Sequence, residues 1–292
     1  MRRTFIGLFL FFGAIVLLSA VLTPWIYWGW DTLFPGADPF RRVFNRVLMI
    51  TALVLLWPLA RFWRIRSWKE VGIGDFRKKG GDLWRWFGWG LLTVSGLFVL
   101  QIVCGERAWK GTWTALRLLE FFASAWGVGI LEEILFRGLL FLALFQLIRE
   151  RASAVLRVAV CTSLFFATTH YLKAVNPEGD ITWLSGWISW GNMLMELGDV
   201  RMLALRWVSL LLVGLVLCAL AYKRQTLWAC MGLHAGWVFG LKVLNHATEW
   251  KGGSGNWWFQ ADILSGLSAE FMLGGVLAFV LWGMKRDGRL KE

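Results

Sequence analysis

The sequence predicts an all-α polytopic membrane protein: about eight transmembrane helices in a single domain, with the chemistry inside the bundle. Three observations predict it. Mean hydropathy is +0.57, with 58% hydrophobic and only 17% charged residues, too apolar for a surface facing water. The apolar residues fall into runs of ~20, the length that carries a helix across the hydrocarbon core, and short polar links separate them. Many of the 22 Trp residues gather at the ends of those runs (Trp25, Trp28 and Trp30; Trp84, Trp86 and Trp89; Trp257 and Trp258), where an indole suits the membrane–water interface.

In chain order, the first span covers about residues 5–30. Met1-Arg2-Arg3 and the apolar run after it have the outline of a signal peptide. The run is longer than a signal's apolar region and lacks a small-x-small cleavage site, so it reads as a span. A Pro/Asp/Gly turn at residues 31–39 leads to a second span at about 43–61. A basic loop at 61–82 and a third span at about 83–104 complete the N-terminal part, residues 5–104. A polar link with Glu106, Arg107 and Lys110 precedes a long fourth span, about 117–148. The fifth is about 152–175. Next come Trp183, Trp187 and Trp190, spaced four and three apart on one helical face, as in a helix lying at headgroup depth or a re-entrant lid. Spans at about 202–222, 226–245 and 262–284 finish the chain. No internal repeat is apparent, and residues 1–292 read as one transmembrane domain with a motif-bearing core at 117–245.

The net charge of +12 would suggest nucleic acid in a water-soluble chain. Here Lys and Arg concentrate in the loops on the side of the two termini, which the positive-inside rule makes cytoplasmic. The expected partners are the lipid bilayer and a membrane-anchored peptide or protein, with no nucleic acid; the expected location is the cell membrane. Cys104, Cys161, Cys218 and Cys230 stand singly and read as small core residues rather than disulfide partners.

The fourth span breaks the apolar pattern with Glu132, Glu133 and Arg137. Each charge at a helix centre costs about 2.5–3.5 kcal/mol, so the three together penalise insertion by about 7–10 kcal/mol before any pairing. An i,i+4 ion pair between Glu133 and Arg137 accounts for two of them. It leaves Glu132, about 100° round the helix, without a structural explanation, and an intramembrane ionisable residue points to function. Of three histidines, His170 and His234 fall inside spans. A carboxylate and two imidazoles on neighbouring spans form a set that activates water, and apolar surroundings make a carboxylate a better base. By helical rise, Glu132 and His234 come to similar depths, whereas His170 sits nearer the outer side. Gly232 and Gly236, flanking His234, suggest close approach to a substrate backbone.

Three motifs carry a family resemblance: Glu132-Glu133-x-x-x-Arg137, Phe166-x-x-x-His170 and His234-x-x-x-Val238, in this order on three separate spans. The sequence resembles the CPBP (Abi) family of intramembrane proteases, which includes CAAX prenyl endopeptidases and bacteriocin-processing or immunity proteins. The resemblance implies an intramembrane endopeptidase that cleaves membrane-associated peptide or protein tails. It makes Glu132 the base that activates water, His170 a residue that helps hold that water, His234 the oxyanion donor, and Glu133 with Arg137 the frame of the site. Val238 departs from the pattern, because relatives carry Asn or another polar residue there as a second oxyanion donor. One lost donor costs about 10² to 10³ in rate. No cofactor is expected. Zinc held by Glu132, His170 and His234 is the alternative the same residues leave open, although no HExxH motif occurs. Two other functions are compatible with the chain: a non-catalytic membrane partner or immunity protein of the same family, and a proton-coupled transporter. The transporter is disfavoured because the five prolines lie at span ends or in loops.

Overall fold

The computed structural model describes residues 2–74, 76–111, 113–145, 154–170, 176–177, 179–195, 200–253 and 256–287. The protein is an all-α polytopic membrane protein: every expected span contains a helix. In order these are α1 (Arg2–Leu33), α2 (Phe40–Phe62), α3 (Phe76–Val103), α4 (Ala115–Glu133), α5 (Ala154–Thr169), α6 (Ser185–Met195), α7 (Val200–Arg224), α8 (Trp228–Ala247) and α9 (Leu267–Arg286). Helix α4 continues as a π-helical stretch, Ile134–Ala143. Among the described residues five helices are long and apolar enough to cross a membrane: α1, α2, α3, α7 and α9.

The chain divides into two compact units, residues 1–66 with 168–199, and residues 67–167 with 200–292. In the first, α1, α2 and α6 pack around Phe40, Phe44 and Met193. The expected stripe of three indoles is split. Trp183 precedes α6 and is exposed along with Trp187, but Trp190 turns inward, its ring 5.9 Å from Phe44 and its indole N–H donating to Ser19 Oγ at 3.1 Å. Trp183 lies outside the helical pattern because α6 begins at Ser185, whereas Trp187 and Trp190 share the helix and the contacts with Phe44 and Ser19 draw Trp190 inward.

In the second unit α8 lies at the centre. All nine residues from Ala229 to Trp237 are buried. Its glycines explain how it fits. A β-carbon at Gly232 would lie 2.0 Å from the carbonyl oxygen of Leu83, and one at Gly236 would lie 2.3 Å from that of Phe87. Gly90 of α3 returns the relation, its absent β-carbon falling 2.5 Å from the Leu233 oxygen. The two helices therefore meet backbone to backbone, the small-residue packing typical of membrane interiors. This corrects the reading of Gly232 and Gly236 as a substrate approach: both sit against α3. Gly129 of α4 packs on Ala235 of α8, at 3.1–3.3 Å from a built β-carbon.

Both ends of α8 are tied down. At its start the Gly72 carbonyl accepts from Leu227 N–H at 2.9 Å, and the Gly74 carbonyl accepts from the Trp228 indole at 2.9 Å. Gly72 has φ +82°, a conformation natural only to glycine. At the far end the predicted polar link is a strand instead: β1 (Arg107–Trp109) pairs antiparallel with β2 (Thr248–Trp250). Buried Arg107 fastens it, donating to Gln101 Oε1 at 2.7 Å and to Thr248 Oγ1 at 3.2 Å, with Phe98 4.9 Å beneath its guanidinium. Three-residue strands carry too little alternation to be read from sequence.

Candidate active site

Helix α4 presents its two carboxylates at its last turn, where the wider π-helical winding begins. Such segments occur frequently at functional sites. Glu133 and Arg137 are completely buried, and Arg137 Nη1 donates to Glu133 Oε1 at 2.8 Å, the pairing the i,i+4 spacing predicts. The same oxygen also lies 2.8 Å from His234 Nδ1. Glu133 thus joins a guanidinium to an imidazole, a role beyond the frame assigned from sequence. The spacing on α4 could not reveal it, because it depends on the rotation of α8 about its own axis.

With Nδ1 engaged by Glu133, the other ring nitrogen of His234 is directed at Glu132, its Nε2 3.9 Å from Glu132 Oε2. That exceeds a direct hydrogen bond. One water can touch both atoms at about 2.8 Å across such a gap. The two carboxylates also differ in access: the Glu132 side chain is 27% exposed and that of Glu133 is 0%. Phe166, from α5, completes the wall. Its ring centroid lies 4.3 Å from the Arg137 guanidinium carbon and 6.3 Å from the His234 ring, and it meets Phe136 edge-on at 5.0 Å. An aromatic face over a buried guanidinium offsets part of its desolvation.

The second unit therefore gathers Glu132, Glu133, Arg137, Phe166 and His234. Val238 follows on α8, half-buried and apolar. His170 is half-buried one residue past the end of α5 and belongs to the first unit. Above the site, Trp126 stacks on Phe87 at 5.5 Å, and Phe87 and Phe122 both pack on Phe239. The Trp126 indole nitrogen is buried with no acceptor among the described residues. Among the described residues no three His, Cys, Asp or Glu side chains group so as to hold a metal.

A multi-pass helical protein with a buried acid–imidazole–guanidinium chain is the class that fold and site define. Residues 112–240, the stretch holding all three motifs, match the family described as Type II CAAX prenyl endopeptidase Rce1-like. That stretch is therefore similar to CAAX-type membrane proteases. No curated protein and no solved structure matches the chain.

Proposed function

We propose that the protein is an intramembrane endopeptidase that hydrolyses a peptide bond in a membrane-associated tail, using a water activated by Glu132. The observation that carries this reading is the 3.9 Å gap between Glu132 Oε2 and His234 Nε2, with His234 held from behind by Glu133. The Glu132 side chain is 27% exposed, although its oxygen at the gap, Oε2, is buried, whereas the Glu133 side chain is 0% exposed.

The chemistry balances with these residues alone. Glu132 takes a proton from water as the water oxygen bonds to the scissile carbonyl carbon. The carbonyl electrons move onto oxygen, and His234, held at Nδ1 by Glu133, donates through Nε2 to the oxyanion and stabilises that charge. Glu132 then passes the proton to the amide nitrogen as the C–N bond breaks, leaving a carboxyl group and an amine. Arg137 holds Glu133 in place, as an outer carboxylate commonly orients an imidazole. The resemblance gives His170 a share in holding the water. No step runs through a metal.

Val238 supports a second reading, a non-catalytic relative, since it offers the oxyanion no donor. One experiment separates the two: mass-spectrometric comparison of membrane-protein termini between cells making the wild type and cells making Glu132→Gln. The proposal expects a set of new termini present only with the wild type. Identical termini in both would overturn it. We also place the two termini in the cytoplasm, supported by the basic loops on their side. This predicts that Cys104, exposed just past α3, is labelled from outside the cell by an impermeant maleimide when Cys161 is replaced by serine.

A further inference from the structure

A second polar site lies in the same compact unit, where three membrane helices end. Lys79 opens the apolar length of α3, Arg224 closes that of α7, and Asp287 follows the last residue of α9. Between them is a cavity of about 550 Å³ lined by Lys79, Asp82, Arg85, Lys223, Arg224 and Asp287. Four cations face two carboxylates, so the cavity carries a net positive charge.

The ion pairs inside it are slack. Arg224 stands 3.6 Å from Asp82, Lys223 3.7 Å from Asp287, and Arg85 4.0 Å from Asp82. Elsewhere in this unit Arg137–Glu133, Arg206–Asp262 and Arg117–Glu120 close to 2.6–2.8 Å. The Nε of Arg224 is buried without a hydrogen-bond partner among the described residues, while Trp86 lies 5.9 Å from its guanidinium carbon. Lys79 is fixed by donating to the Arg224 carbonyl at 3.0 Å, which holds two of the cations side by side. A buried guanidinium nitrogen with no acceptor costs free energy, and an acceptor with several oxygens would relieve it while drawing Lys79 and Arg85 inward.

From this arrangement we infer that the cavity binds a phosphate group of net negative charge, supplied by the headgroup of an anionic phospholipid. The position favours a lipid over a free anion, because the cavity opens where three spans meet the headgroup layer, and basic pockets between spans commonly take such headgroups. Its role is to seat the α3, α7 and α9 ends in the leaflet, independently of the reaction at Glu132.

Native mass spectrometry of the full-length protein, titrated separately with phosphatidylglycerol, phosphatidylcholine and inorganic phosphate, tests the assignment. The wild type should retain phosphatidylglycerol well above phosphatidylcholine. Each neutralised cation should weaken that retention about fivefold, and Lys79→Gln, Arg85→Gln and Arg224→Gln together about a hundredfold. Asp287→Asn should strengthen it, a direction that a damaged fold does not produce. Inorganic phosphate binding as tightly as phosphatidylglycerol, and lost in the same triple variant, would uphold the phosphate site but overturn the lipid as its source. Equal retention of both lipids by wild type and triple variant would overturn the site itself.

Discussion

Helices α8 and α9 have the same length and belong to the same compact unit, yet they solve opposite problems. Helix α9 turns Phe271, Phe279 and Trp282 outward, 51–66% exposed, and is apolar enough to count as a membrane span. Helix α8 is not among the five such spans, although it is the more deeply enclosed. A helix facing lipid must be apolar, because nothing else there can solvate it. A helix surrounded by protein is free to carry glycines, an imidazole and a tryptophan, since its neighbours supply the partners. The carboxylate-bearing α4 is not among the five either, but for a different reason: it carries Arg117, Glu120, Glu132 and Glu133, and only three of its residues are buried. In this protein Glu132, Glu133 and His234 of the proposed site lie on helices that are not among those five spans.

The largest break in this comparison comes from glycine. Gly232→Leu should abolish folded protein, because the first added carbon already lies 2.0 Å from a backbone oxygen of α3. Gly274→Leu on α9, where nothing lies within 4 Å of a built β-carbon, should leave the yield of detergent-stable protein unchanged. Size-exclusion chromatography of the two variants side by side measures both. Next in size is Arg137→Met, which leaves Glu133 buried beside an imidazole without its guanidinium. The expected loss is about 3–5 kcal/mol in denaturant unfolding. The smallest effect, and the only gain, is Val238→Asn, which restores a donor one turn beyond His234. It should raise turnover by up to about a hundredfold with little change in KM.

Much of this was legible beforehand. The spans and the Glu133–Arg137 pair follow from spacing and from the cost of charge in lipid. What was not legible depends on rotation and on partners distant in sequence. Gly232 and Gly236 were read towards substrate because they flank His234, but on a helix they point away from it, and only the approach of α3 shows which side is crowded. Glu133 was assigned one partner because its own helix displays only one. Trp190 was grouped with its neighbours by periodicity, and a single hydrogen bond to Ser19 sets it apart.

The central claim gives the two adjacent glutamates different duties, one towards water and one towards His234. Initial cleavage rates and melting temperatures of Glu132→Gln and Glu133→Gln, measured in the same vesicles with a tail peptide processed by the wild type, test it most directly. The account predicts that Glu132→Gln melts like the wild type but cleaves at less than about a hundredth of its rate, while Glu133→Gln loses both rate and thermal stability. Undiminished cleavage by Glu132→Gln would contradict it.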